Sequence, residues 1–437
     1  MKFYSTKNKS LTYSLKDAVL LGLPPDNGLF MPESIKPLDA SFYAQLPDLS
    51  MAEIGFAIAS NLLGNDIPEK EMKRICEEAF NFPAPLVELD KQTFVCELFH
   101  GPTLAFKDFG ARFMSRLMAY LNAEEKEKLT ILVATSGDTG GAVADGFFEV
   151  PGIEVIILYP SGGVSELQEK QLTTLGKNIE AIEVKGTFDD CQRMVKTAFL
   201  DPELSKSYRL SSANSINITR LVPQAVYYFD AYRQLINLGK SVNEVVFVVP
   251  SGNFGNLTAG LLAMKLGLPV SHFVAATNVN DSVPQYLNTG EFHPRSSVAT
   301  ISNAMDVGNP SNFGRMLDLF SSSHAEMKNQ ISGYAYTDDQ TRAVMKSVYE
   351  KSSYVADPHG AVGLAAWSDF RSEHPNATGV ILETAHPLKF VDSVEKVLGF
   401  SPDMPAALSK LMTKEKKSTV MNPEFRDLKS YLAARLR

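Results

Sequence analysis

The stretch TILVATSGDTGGAV, Thr130 to Val143, runs from a short apolar, β-rich segment through a glycine turn into a helical pattern. VVFVVPSGNFGNLTAG, Val245 to Gly260, repeats that arrangement. Similar apolar runs are VIILYP (Val155–Pro160), IEAIEV (Ile179–Val184), HFVAAT (His272–Thr277) and GVILET (Gly379–Thr384). A strand that is apolar at nearly every position is covered on both faces, and alternation with helical segments implies parallel sheets. The runs form two blocks, one before and one after about Asn237. The expectation is an α/β protein with two parallel-sheet lobes and its site between them, because ligands gather at the carboxyl ends of parallel strands.

Upstream, the first ninety or so residues read as helices and loops. LGLPPDNGLFMP (Leu21–Pro32) is a Pro/Gly-rich turn, and MAEIGFAIASNLLG (Met51–Gly64) fits an amphipathic helix ended by glycine. NFPAPLVELD (Asn81–Asp90) is proline-punctuated and marks a domain boundary. A chain of 437 residues suits two or three domains, and the expected division is a mainly helical segment 1–90, a lobe 91–237 and a lobe 238–437.

Composition excludes several classes. A net charge of -8 argues against a nucleic-acid binder, which needs clustered Lys and Arg. Apolar runs such as Val245–Val249 are far too short to span a bilayer, so no membrane partner is expected. MKFYSTKNKS at the start has no apolar core of a secretory signal. Cys76, Cys96 and Cys191 are odd in number and widely spaced, which gives neither a disulfide framework nor a zinc site. A cytoplasmic setting is expected.

Three polar turns carry candidate chemistry. In TSGDTGGAV, backbone amides and the hydroxyls of Thr135, Ser136 and Thr139 suit a carboxylate at a helix N-terminus; the same residues also suit a plain strand-to-helix turn capped by Asp138 or Thr139. PSGNFGNLTAG (Pro250–Gly260) suits a phosphate, or again a structural turn. It lacks the Gly-Lys-Ser/Thr of a P-loop and the spacing of a dinucleotide fingerprint, and the next strand ends in Thr277 and Asn278 rather than an acidic ribose ligand. That counts against NAD and ATP. In SSANSINITR (Ser211–Arg220), Ser215, Asn217 and Arg220 suit a second phosphate, although such clusters also serve as loops and caps.

HGPTLAFKDFG (His100–Gly110) holds a lysine among apolar and small residues. Phe109, Phe113, Leu117 and Tyr120 form a helical stripe, which puts Lys107 at the helix start, where dipole and free amides disfavour a cation. Apolar neighbours act in the same direction, and a neutral amine is what a Schiff-base lysine needs. An outward, snorkelling lysine is the alternative. A misplaced lysine, a small-anion loop and a separate phosphate cradle together describe pyridoxal phosphate. His100, His359 and His386 flank Pro or Gly and read first as structural histidines; Asp357-Pro358 reads as a helix N-cap with proline behind it.

HGPTLAFKDFG, ATSGDTGGAVA, SANSINITR, VPSGNFGNLTAG, AATNVND and ETAHP, in this order, closely resemble the threonine synthase family, and YSLKDAVLLGLPPDNGLFMP resembles that family's N-terminal domain. The resemblance implies the tryptophan synthase β-subunit type of fold and pyridoxal 5'-phosphate as cofactor. It implies that Lys107 bonds the cofactor aldehyde and that Gly252, Asn253, Phe254, Gly255 and Asn256 hold its phosphate, with Asn256 where relatives often have Asp. Thr384 matches the group facing the pyridine nitrogen. Asp138 stands where the wider fold often has Asn beside the cofactor's 3'-oxygen. Thr135, Ser136 and Thr139 match the substrate-carboxylate loop; Ser215, Asn217 and Arg220 match the surroundings of the substrate phosphate, with Asn214 near the cofactor. The implied reaction converts O-phospho-L-homoserine and water to L-threonine and phosphate, in a monomer or small homo-oligomer. The rivals are a pyridoxal-phosphate phospho-lyase or dehydratase on a hydroxyamino-acid phosphate, a non-catalytic binding protein, and a nicotinamide oxidoreductase, the last weakened by the glycine spacing.

Overall fold

The computed structural model describes residues 1–435. Its centre is two sheets. A six-stranded sheet has the order Ile331–Ala335, His272–Thr277, Val245–Pro250, Thr378–Glu383, Thr93–Glu97, Leu86–Asp90, parallel except for the last hairpin. A five-stranded, all-parallel sheet has the order Thr419–Met421, Ile179–Val184, Ile153–Pro160, Leu129–Ala134, Arg209–Ser212. Every residue of Leu129–Ala134 and of Val245–Pro250 is buried. Their unbroken apolar pattern therefore reflects cover on both faces, as expected. Among the described residues no helix is long and apolar enough to cross a membrane.

Sheet membership departs from the expected boundaries in two places. The hairpin Leu86–Glu97 straddles position 90 yet lies wholly on the six-stranded sheet, and Thr419–Met421, near the C-terminus, pairs with Ile179–Val184 of the other sheet. An edge hairpin and a three-residue edge strand carry little periodicity, so sequence pattern does not assign them to a sheet. The N-terminal segment also differs from a set of helices and loops. It contains a small antiparallel sheet of Phe3–Ser5, Asn8–Tyr13 and Phe30–Pro32. In Asn8–Tyr13 every residue but the last is exposed, so this strand shows no alternation of apolar and polar positions. The helix Met51–Leu63 forms as expected, opened by a reciprocal Ser50–Glu53 capping box and closed at Gly64 in a positive-φ conformation (φ 79°).

One crossover sets the site. After Thr93–Glu97 the chain leaves the large sheet and runs back along the segment that follows Thr378–Glu383. Phe106 N–H donates to Thr384 O (2.9 Å), His386 N–H donates to Leu104 O (3.0 Å), and Ala105 bridges Ala385 antiparallel. Leu104 takes a left-handed conformation (φ 59°) to make the turn. The helix Lys107–Asn122 begins at once behind it, so two distant parts of the chain, Lys107 and Thr384, are stitched together by backbone bonds.

In the large lobe the helix Pro358–Glu373 packs on the sheet through Trp367, and a Cβ added to Gly379 would lie 2.5 Å from the Trp367 ring. Gly379→Ala is expected to destabilise this lobe by about 1–3 kcal/mol through overpacking. Trp367 is the only tryptophan, so its fluorescence in a urea titration reads the loss directly; an unchanged midpoint would contradict the packing.

Candidate active site

A cavity opens between the lobes at the carboxyl ends of the strands, where Ala134, Pro250 and Thr384 line it. Every residue expected at the site lines this cavity except Asn217. Lys107 is the first residue of its helix, preceded by Phe106, whose ring lies 4.3 Å from Nζ. Among the described residues no carboxylate forms an ion pair with it. Burial, then Arg220, pulls its pKa down, Asp138 opposes and Lys389 adds to the fall; the result is about 8. The amine thus gives up its proton far more readily than a free lysine, although at pH 7 it is still mostly charged.

The opposite wall is the turn after Val245–Pro250. Phe254 is left-handed (φ 58°), and the helix Gly255–Lys265 follows directly. The first amides of such a helix have no partners within it. A Cβ at Gly252 would come within 2.7 Å of both Ala304 O and Met305 Cα, so no side chain fits between this turn and the segment covering it. The side chains around it point elsewhere. Asn253 donates from Nδ2 to Ser215 Oγ (2.6 Å) and accepts at Oδ1 from the Ser311 backbone. Asn256 Oδ1 accepts from the hydroxyls of Tyr227 and Tyr228 (2.7 and 2.8 Å), which leaves its Nδ2 a buried donor without a partner. What this cradle presents to an anion is therefore backbone, and Asn256 Nδ2 beside it is a buried donor that no protein group satisfies.

In the other turn Thr135 Oγ1 accepts from the amides of Gly137 and Gly140 (2.9 and 2.8 Å), which keeps the loop in shape and leaves the Thr135 proton to be donated. Ser136 and Thr139 line the cavity beside it. Asp138 is not a plain cap. Its Oδ1 meets Lys389 Nζ at 2.8 Å and accepts from Gln168 Nε2 at 2.9 Å. Burial alone would raise its pKa, but Lys389 and Gln168 outweigh it and hold the carboxylate ionised.

The segment 211–220 divides. Asn214 lines the cavity and donates to Ala134 O (2.9 Å); Ser215 and Arg220 also line it. Asn217 corrects the expectation of a phosphate contact. It caps the short helix Ile218–Leu221, accepting from Thr219 N–H and its hydroxyl, and gives its Nδ2 protons to Val19 O and Ser212 O. With its amide fully engaged in this way, Asn217 anchors the N-terminal segment instead. Arg220 is buried, donates to Ala213 O (2.9 Å) and keeps Nε unpartnered; burial drops its pKa to about 10. Gly110 allows its approach, since a Cβ there would lie 2.7 Å from Arg220 Nε.

Two lining or supporting residues had no assigned role. Lys389, fully buried, ties Asp138 to Thr103 O (2.7 Å). It lies between Leu388 and Phe390, the same apolar setting that singles out Lys107, so that rule applied twice would have found it. His359 lines the cavity, with Nδ1 3.3 Å from Asp357 Oδ2 and Nε2 accepting from Ala304 N–H (3.2 Å). That bond requires a bare Nε2. Burial favours the neutral ring, but Asp357, Asp138 and Asp306 together raise its pKa above the ordinary value. His100 instead pairs with Glu97 near the surface, and His386 Nδ1 accepts from Leu388 N–H as a cap. Asp357 caps its helix with Pro358 behind it, as read from sequence.

These features suit pyridoxal phosphate: an amine without a counter-ion, a backbone cradle closed to side chains, and buried unpaired donors on Asn256 and Arg220. Lys107→Met in protein free of cofactor gives a measurable signature of the buried amine. Below about pH 8 wild type bears a charged lysine folded and unfolded, so the penalty is full; it shrinks as pH rises from there towards the free-lysine value and then vanishes. The variant should gain about 1–3 kcal/mol at pH 7, most of it gone by about pH 10. Urea titrations across that range check this, and a pH-independent difference would contradict it.

Known proteins resemble this chain over its whole length. Residues 78–383 match the profile described as "Pyridoxal-phosphate dependent enzyme", residues 2–80 "Threonine synthase N terminus", and residues 360–432 "Threonine synthase, C-terminal". The threonine synthase of Haemophilus influenzae is 44% identical over 432 residues, 99% of each chain. The crystal structure of threonine synthase from Escherichia coli superposes with a TM-score of 0.93 at 42% identity, over 100% of both chains. That of the pyridoxal-phosphate-bound threonine synthase from Brucella melitensis does so with a TM-score of 0.91 at 36% identity, again over 100% of both. Three profiles spanning the chain and full-length relatives at this identity place it in the threonine synthase family of pyridoxal-phosphate dependent enzymes.

Proposed function

We propose that this enzyme converts O-phospho-L-homoserine and water to L-threonine and phosphate, with Lys107 as the group that bonds the cofactor and moves the substrate's protons. The observation that carries the reading is the Lys107 amine, without a counter-ion and with a pKa near 8, facing the cradle at Gly252–Asn256 across one cavity. Pyridoxal phosphate, when bound, supplies an aldehyde for amines and a ring that delocalises the electrons left at Cα.

The residues of this chain do the rest. The first-turn amides at Gly255 and Asn256, with the unpaired Asn256 Nδ2, would hold the cofactor phosphate, and Thr384, whose backbone is bonded to Phe106, would serve the ring nitrogen. A hydroxyl there, unlike a carboxylate, would leave that nitrogen largely unprotonated. Asp138, held ionised by Lys389, and Asn214 line the cavity and would flank the cofactor. Thr135, Ser136 and Thr139 bind the substrate carboxylate, with the Thr135 proton free because its lone pairs serve the loop. Ser215 and Arg220 hold the substrate phosphate, the buried guanidinium gaining the anion it otherwise lacks. Once free of the cofactor, the neutral Lys107 amine would act as the base that takes the substrate's Cα proton. One proton also leaves Cβ, the phosphate leaves Cγ, Cγ receives a proton, the oxygen of water adds at Cβ, and a proton returns to Cα.

Incubation of the holoenzyme with O-phosphohomoserine should release phosphate and threonine in equal amounts, with no keto acid. Lys107→Ala should lower turnover by at least about 10³-fold, since it removes covalent linkage and proton transfer together. Release of keto acid and ammonia in place of threonine would instead favour the phospho-lyase reading.

A further inference from the structure

Arg315, on the short helix Phe313–Leu319, is fully buried, and among the described residues no carboxylate pairs with it. Its donors all go to oxygens: Nε and Nη2 to Phe30 O (3.3 and 3.1 Å), Nη2 to Ile216 O (2.7 Å), and Nη1 to Ser215 O (3.0 Å) and Asn312 Oδ1 (2.7 Å). A guanidinium only donates. The Asn312 atom that faces it must therefore be the amide oxygen, and this fixes which way the Asn312 amide points. Nδ2 is turned to the other side, where it donates to Ser215 Oγ and Asn253 O, both at 3.1 Å.

A second amide is fixed in the same manner. The backbone N–H of Ser311, which also only donates, faces Asn253 Oδ1 at 2.6 Å, so Asn253 Nδ2 is the atom directed at Ser215 Oγ, 2.6 Å away. Ser215 Oγ thus receives two N–H donors. A hydroxyl has two lone pairs and one proton. With both lone pairs occupied, the proton is what Ser215 has left to offer, and Ser215 lines the cavity.

We propose that Arg315, acting through Asn312, holds Ser215 as an obligatory hydrogen-bond donor to the phosphate group of the substrate. This rests on the proposed function, which puts that phosphate beside Ser215 and Arg220. Arg315 is a positioning residue: it touches no substrate, and its orientation of one amide is transmitted as the direction of one hydroxyl proton. The arrangement favours a phosphate monoester, whose oxygens accept charge-assisted bonds, over the unphosphorylated amino acid. Its buried positive charge, balanced by no carboxylate among the described residues, acts in the same sense.

Arg315→Met also strips the bonds to Phe30 and Ile216 and tests folding as much as direction, so the decisive variants are Ser215→Ala, Asn312→Leu and the two combined, each as holoenzyme. The readouts are KM for O-phosphohomoserine, the inhibition constant of inorganic phosphate, and the affinity for pyridoxal phosphate. Each single variant should weaken both phosphate-dependent constants about tenfold or more, the loss of a hydrogen bond to a charged group, while the cofactor stays bound. The double variant should be no worse than Ser215→Ala, because Asn312 has nothing to direct once the hydroxyl is gone. If Ser215→Ala leaves both constants unchanged, the placement of the substrate phosphate is wrong. If Ser215→Ala weakens them but Asn312→Leu is silent, or its loss adds fully in the double variant, the relay is wrong and the placement stands. Weakened pyridoxal phosphate affinity in place of these effects would assign the proton to the cofactor's phosphate and overturn the proposal.

Discussion

The structure depends on the pairing of Leu104–Phe106 with Thr384–His386. Two backbone hydrogen bonds and one bridge carry the chain from the edge of the large sheet onto a strand end and deliver it into a helix whose first residue is Lys107. That single junction sets the amine beside Thr384 and opposite the Gly252–Asn256 turn. It also decides the amine's environment, because a helix start offers free amides and a positive dipole end instead of a counter-ion.

Around the cavity and its wall the protein gathers cations that it does not fully neutralise. Among the described residues Arg220 and Arg315 are buried without a carboxylate in contact, whereas buried Lys389 has a close acidic partner, Asp138. Buried charges left in this way are unfavourable to folding unless something anionic arrives. An anionic ligand such as the phosphate group of pyridoxal phosphate brings the missing charge, so the cost in the free protein becomes binding affinity. The polar side chains nearby are fixed in turn: Asn217 gives its amide to backbone oxygens, and Asn253 and Asn312 both donate to Ser215 Oγ, which leaves the Ser215 proton to offer.

Much of this was legible in the sequence. Continuous apolar runs give the two parallel sheets because burial on both faces erases alternation, and the lysine was visible because Phe106 and the stripe from Phe109 to Tyr120 place it at a helix start. Other features had no such signal. The strands Phe3–Ser5 and Thr419–Met421 are too short to show a period, and Asn8–Tyr13 is exposed along nearly all its length. Asn217 has the residue type of a phosphate ligand, but whether its amide faces a ligand or Val19 O depends on how the N-terminal segment packs, which is non-local. The Asp138–Lys389 pair spans most of the chain, and nothing near Asp138 announces its partner.

Burial and neighbouring cations bring the Lys107 amine to lose its proton near pH 8 in the folded chain. Selective ¹³C or ¹⁵N labelling of lysine and NMR titration of the cofactor-free protein, with Lys107→Ala to assign the resonance, measures this directly. One lysine with a midpoint near 8, absent from the variant, is the expected result. A Lys107 resonance that titrates at about 10.4, the value of a free lysine, would contradict it.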